Sequence, residues 1–136
     1  MRKLKNMLTL ASHGNNVDGL LRFLDFKKIN FSPKRIFWVS GVPAGTIRGQ
    51  HGHYRDQQQL FCIKGKILVS FYSNTGEEKH LLKEGDSCFM DKMIWSEQTY
   101  MTGTDILMVL CSEEFDKEDY FYDKQEVHSE ELLHRN

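Results

Sequence analysis

No two cysteines in this chain are spaced C-x-x-C, and the three present, Cys62, Cys88 and Cys111, are odd in number. Neither a zinc knuckle nor a disulfide framework is therefore indicated. Each cysteine sits inside an apolar, strand-like run, where a reduced thiol serves as a small hydrophobe. Long apolar runs are missing as well. Stretches such as Ile106–Cys111 are far shorter than the roughly 20 residues needed to cross a bilayer as a helix. Met1-Arg2-Lys3-Leu4-Lys5 starts with charge, but no apolar segment of signal-peptide length follows, so a cytoplasmic protein without a membrane partner is expected. Excess charge of one sign is also lacking. A net charge of −1 and no basic stripe exclude the electrostatic footprint of a nucleic-acid binder.

What is present is a length of 136 residues with 40% hydrophobic and 27% charged residues, the size and composition of one globular domain able to bury a core. Runs rich in β-branched and aromatic residues recur: Met7–Ala11, Arg35–Val39, Gln59–Ile63, Lys66–Tyr72, His80–Leu82, Ser87–Met90, Ile94–Thr99 and Asp105–Cys111. Leu20–Phe26 is apolar with mixed spacing and fits either a strand or a short helical turn. Turn signals separate the runs about every ten residues, including His13-Gly14-Asn15-Asn16, Lys64-Gly65 and Ser73-Asn74-Thr75-Gly76. No long segment of 3.6-residue period, internal repeat or low-complexity stretch interrupts the pattern. An all-β antiparallel sandwich or barrel follows. After Cys111 the composition turns acidic and polar, with a weak helical pattern at Glu130–Leu133. The reading is one domain over 1–136: a β core over 1–111, then a solvated, polar C-terminal extension over 112–136.

The stretch that carries chemistry is Arg48-Gly49-Gln50-His51-Gly52-His53. In an extended chain, His51 and His53 project to the same face, the spacing used for a metal site or for two-imidazole acid/base work. Gly49 and Gly52 thin the backbone beside them, as at a bulge or where a ligand comes close. Arg48 supplies a planar guanidinium fork suited to phosphate.

Gly45-x5-His51-x-His53-x4-Gln58-x6-Gly65 resembles the first motif of the cupins, whose fold is a double-stranded β-helix, or jelly roll. Metal-binding cupins carry Glu where this chain has Gln58, and a further His where it has Ser96. The imidazoles thus remain while the usual ligand set is incomplete, which favours acid/base chemistry with no metal and no cofactor. A longer resemblance joins Lys34–Trp38, Arg48–His53, Gln58-Gln59, Ile63-Lys64-Gly65, Trp95-Ser96-Glu97, Leu107–Ser112 and Phe115–Tyr120. These segments resemble the sugar-nucleotide 3,4-ketoisomerases, cupins related to a domain of lipopolysaccharide biosynthesis proteins.

That resemblance implies an isomerase acting on dTDP-4-keto-6-deoxyglucose to move the keto group from C4 to C3 without metal. It implies that His51 is the base shuttling the proton from C3 to C4. His53 would hold or polarise the sugar oxygens, or relay a proton between them. Gln58 and His53 are the candidate donors to the enediol oxygens, and Arg48 would grip the diphosphate. Arg35 is a second candidate for that grip, or else a surface strand residue. Trp95 reads as a wall of the substrate pocket or as core. Glu97 reads as an orienter of an imidazole or as a solvated strand residue. The resemblance also implies a homodimer, with Met7–Ala11 as an exchangeable strand. The chain departs from the family pattern at Phe37, Tyr54, Ser96 and Phe121-Tyr122-Asp123. Two other classes stay open: a non-catalytic cupin that binds a nucleotide sugar, and a metal-dependent cupin enzyme.

Overall fold

The computed structural model describes residues 7–129. Twelve strands run through it: β1 (Met7–Thr9), β2 (Ala11–Asn15), β3 (Gly19–Phe23), β4 (Arg35–Val39), β5 (Thr46–His53), β6 (Gln58–Lys64), β7 (Lys66–Ser73), β8 (Gly76–Lys83), β9 (Asp86–Met90), β10 (Trp95–Tyr100), β11 (Ile106–Cys111) and β12 (Tyr120–Phe121). Three short 3₁₀ turns accompany them among the described residues. All pairings are antiparallel and build two five-stranded sheets, β1-β9-β6-β11-β4 and β12-β5-β10-β7-β8. A separate hairpin, β2-β3, stands beside the first sheet. This is the jelly roll that the strand count called for.

The sheets face each other because their strands alternate. On β7, Ile67, Val69 and Phe71 are buried while Leu68 and Ser70 are not, the period-2 signature of a strand with one covered face. They meet Leu60 and Cys62 of β6, Cys88 and Met90 of β9, and Leu107, Val109 and Cys111 of β11 in one apolar core. All three cysteines are free and buried there, as their neighbours in the sequence implied.

β8 runs over Gly76–Lys83 where a short strand at His80–Leu82 is expected, and two further expectations differ from what is found. The predicted turn at His13–Asn16 is displaced. β2 continues to Asn15, and the turn follows, closed by the Asn15 Oδ1 accepting from the Val17 and Asp18 amides at 2.8 and 2.7 Å. The expected solvated extension is instead built into the fold up to Ser129: Asp119, Phe121 and Val127 are buried, and β12 pairs with β5. Its acidic residues are partly consumed in hydrogen bonds rather than solvated, which composition alone does not reveal. The helical pattern at Glu130–Leu133 lies outside the described residues.

Candidate active site

The histidines lie at the C-terminal end of β5, between β10 and the short β12. Position on the sheet decides what joins them. Ser96 of β10 is paired with His51 on one side and Phe71 of the core on the other, so His51 faces the barrel interior. His53, two residues on, shares that face, and the two rings meet edge-to-face with centroids 5.1 Å apart. Arg48 is three residues before His51 and on a regular strand would face the opposite way. The register shifts between these positions: Ser96 pairs with His51, but Glu97 pairs with Gly49 and Gln98 with Arg48. Gln50 is the extra residue, at φ 59°, and Gly49 precedes it at φ 92°. This bulge returns Arg48 to the interior face with the imidazoles. Glycine at 49 is required by the positive φ and by the closeness of the Ser96 carbonyl, 3.1 Å from where a Cβ would stand.

His51 Nδ1 lies 3.0 Å from the Gly49 carbonyl oxygen. A carbonyl only accepts, so in the neutral ring Nδ1 carries the proton and Nε2 keeps its lone pair. Burial lowers the pKa of His51, against the raising effect of that bond. His53 is shifted further, to about 4, first by burial, then by His51 beside it and Arg35, while Asp56 and Asp119 oppose the shift. Both ring nitrogens of His53 are buried without a hydrogen-bond partner. Buried polar atoms are rarely left so, and a pair of them on one ring marks a place that a bound ligand completes.

Arg35 also faces the interior. Its guanidinium lies over Phe37 at 4.8 Å and Phe115 at 5.2 Å from the ring centroids. Neither Arg35 nor Arg48 forms an ion pair among the described residues, so both are cations available to an anion. The surface-residue alternative for Arg35 does not describe its position. Gln58 is buried on the same interior, but its amide nitrogen donates to Asp56 Oδ2 at 2.9 Å and approaches Cys111 Sγ at 3.7 Å. A carboxylate only accepts, so this orientation is fixed and Gln58 offers no free donor to the enediol oxygens. A donor role toward substrate would require the Gln58 amide to turn away from Asp56.

Trp95 and Glu97 are not brought to the histidines. Trp95 packs with Met93, Phe121 and Val127 in a second apolar cluster on the outer face, and its indole N–H donates to the Tyr122 carbonyl at 3.1 Å. Glu97, paired with Gly49 and Ser70, accepts from the Gln50 side chain at 3.3 Å. Ser96, in the place of a metal cupin's histidine, is buried next to His51. Among the described residues no three His, Cys, Asp or Glu side chains group in a way that could hold a metal ion.

Sequence reasoning missed the contribution of the C-terminal segment. Tyr120 is paired with His53 through β12 and β5, and its ring lies 4.7 Å from that of His51 and 4.5 Å from that of His53. Tyr122 and Phe115 continue this aromatic wall, at 6.3 and 6.0 Å from Tyr120. The run Asp116-x-x-Asp119-Tyr120 was a usable signal, since two carboxylates at that spacing can cap a turn and tie down a neighbouring loop.

A jelly roll with two adjoining imidazoles and two guanidiniums free of ion pairs on its interior face is, as a class, a cupin equipped for acid/base chemistry on an anionic ligand. The chain belongs to the family described as FdtA: WxcM-like, C-terminal, which it matches over residues 3–131. It is 28% identical over 95 residues to the TDP-4-oxo-6-deoxy-alpha-D-glucose-3,4-oxoisomerase of Aneurinibacillus thermoaerophilus, covering 69% of this chain and 68% of that one. Its fold is similar to QdtA, a sugar 3,4-ketoisomerase from Thermoanaerobacterium thermosaccharolyticum solved with TDP. There the TM-score is 0.83 at 22% identity, over 93% of this chain and 94% of that one. A 3,4-ketoisomerase from Helicobacter canadensis is similar too, with TM-score 0.81 at 23% identity, over 90% of this chain and 94% of that one.

Proposed function

We propose that this protein is a sugar-nucleotide 3,4-ketoisomerase that converts dTDP-4-keto-6-deoxyglucose into a dTDP-3-keto-6-deoxyhexose, within deoxysugar synthesis for surface glycans such as lipopolysaccharide. The observation that carries it is the imidazole pair: one ring with its proton anchored and its lone pair free, the other neutral with both nitrogens unpartnered. Moving the keto group requires two transfers. A base takes the proton from C3, next to the ketone, and returns it to C4. A second proton passes from the C3 hydroxyl to the former ketone oxygen. His51 Nε2 suits the first task, a neutral base held in one tautomer. His53 suits the second, because a neutral imidazole presents one donor and one acceptor at once. The burial that drives its pKa down keeps it in that bifunctional form at neutral pH.

Arg48 and the stacked Arg35 would take the diphosphate, where planar forks bind two oxygens at once. No catalytic metal or cofactor enters this chemistry. The enzyme is proposed to work in the cytoplasm. No helix among the described residues is long and apolar enough to cross a membrane. It is also proposed to work as a homodimer, for reasons taken up below.

The test is to incubate the protein with dTDP-4-keto-6-deoxyglucose in deuterated water and follow C3 and C4 by NMR. Deuterium should appear at these carbons together with a new ketone signal. Saturable binding with neither change would leave a non-catalytic nucleotide-sugar binder. Activity lost on chelation and restored by a transition metal would return the metal-dependent class.

A further inference from the structure

We propose that the segment Asp116–Tyr122 positions the imidazole pair, with the ring of Tyr120 fixing the two rings and keeping water from His53. The segment is fastened on two sides. On the inner side, Asp119 is buried and its carboxylate accepts from the Arg55 amide at 2.9 Å, Arg55 Nε at 3.2 Å and the Asp56 amide at 3.0 Å. Its carbonyl accepts from the Tyr54 amide at 2.9 Å. These donors belong to the turn that directly follows His53. Asp116 caps the same segment through the Glu118 amide and reaches Arg55 Nη2 at 2.7 Å.

On the outer side, Phe121 lies against Gly52, the residue between the two histidines. A Cβ at Gly52 would collide with the Phe121 ring, so the missing side chain is what admits it. The Trp95 N–H holds the Tyr122 carbonyl from that side. Tyr120, between these anchors, has little freedom, and its ring covers both imidazoles.

The groups facing His53 come from several elements: His51 of β5, Arg35 of β4, Asp56 of the following turn, and Asp119 and Tyr120 of the segment itself. Cys111 of β11 stands near Asp56 and Arg35, its thiol pushed up to about 12 by burial, and so stays neutral. Of the charged groups, the carboxylates favour a protonated His53 while His51 and Arg35 disfavour it, so burial with His51 carries the balance. The Tyr120 ring lies against His53, with centroids 4.5 Å apart, and shields that side of the imidazole. The positioning role deepens the ketoisomerase reading, but its first test does not depend on it.

That test is an NMR titration of the imidazole ring signals in the ligand-free protein. In the wild type, His53 should stay neutral to below about pH 5. Tyr120→Phe keeps the ring and should reproduce that curve, whereas Tyr120→Ala should raise the His53 midpoint by about one unit or more as water reaches it. If Tyr120→Ala does not fold, Tyr120→Leu takes its place with the same direction of shift. A wild-type His53 that titrates near its ordinary value, or equal curves for the Phe variant and the truncated one, overturns the proposal.

The second arm is kinetic. Tyr120→Ala should lower kcat by about 10–100-fold through misplaced imidazoles, and Tyr120→Phe should recover most of it. A Phe variant as inactive as the Ala variant overturns the positioning role and assigns the chemistry to the hydroxyl. A wild type with no isomerase activity removes the ketoisomerase reading alone, and the titration still decides the positioning role.

Discussion

The residues that matter most are neutral by design of their surroundings. For His51 the consequence is kinetic. If Nε2 is the base, His51→Asn keeps a similar volume and the bond to the Gly49 carbonyl but has no lone pair of suitable basicity. Its kcat should fall by about 10²–10⁴-fold, with dTDP binding retained. Both are measurable, the first with a coupled assay for the 3-keto product and the second by calorimetry. More than about a tenth of wild-type kcat would place the base elsewhere.

For His53 the consequence is thermodynamic. Its folded pKa lies below the unfolded value of about 6.5. Between about 4 and 6.5 the unfolded chain therefore binds more protons at this ring, and stability rises with pH across that window. The effect is absent above about 6.5, where both states are neutral. Denaturant unfolding at pH 7.5 and at pH 5 should differ by up to about 2 kcal/mol from this ring. The difference should shrink in His53→Asn. Asp105 acts in a lower window. Its hydrogen bonds from the Thr102, Lys66 and Gly103 amides and the Thr102 hydroxyl hold its pKa down despite burial, so the stability it adds is lost only below the ordinary carboxylate range.

At the scale of elements, two pieces convert a plain sheet into a site: the bulge at Gly49-Gln50 and the segment that carries β12. The strands were legible in the sequence because turn residues bound their period-2 runs; Arg35–Val39 was found with its bounds intact, and Lys66–Tyr72 to within a residue. The pairing of His51 and His53 on one face followed from the same period. Arg48 did not follow from it, since only a register shift against β10 brings it round. Asp119 and Tyr120 were harder still. Their roles depend on contacts with Arg55 and His53, more than sixty residues earlier, and the Asp116-x-x-Asp119-Tyr120 run signals a capped turn without saying which distant loop it meets.

Gly52 links these elements, and a substitution there tests the link. Gly52→Ala puts a methyl group against the Phe121 ring and near the Ile94 carbonyl. Overpacking of this kind costs about 1–3 kcal/mol, which should lower Tm by several degrees. If β12 is displaced, catalysis should fall further than stability does, since Tyr120 moves with Phe121. Unchanged Tm and kcat would show that the segment yields without consequence.

The molecule as a whole carries an apolar face that a single chain leaves uncovered. Every residue of the β2-β3 hairpin is exposed. A lone two-stranded hairpin is marginally stable in water. Between the hairpin and the first sheet runs a groove of about 510 Å³ lined by apolar side chains that include Leu20, Phe23, Phe26, Ile36 and Ile63. Val17, Leu21 and Trp38 extend the exposed apolar surface nearby. Strand β4 adds an open sheet edge, with one side of its backbone unpaired in the order β1-β9-β6-β11-β4. Apolar surface and an open edge on one side of a small protein invite an identical partner, and a two-fold arrangement satisfies both copies at once. In the single chain β1 pairs with β9, Met7 opposite Cys88. An exchange between copies would preserve that same register. Light scattering should therefore give twice the 16.0 kDa of one chain. Leu21→Lys combined with Phe23→Asp places charges in the contact and should move the protein toward the monomer, while far-UV circular dichroism stays β-rich. A wild type that remains monomeric at high concentration would refute the dimer and leave the apolar face unexplained.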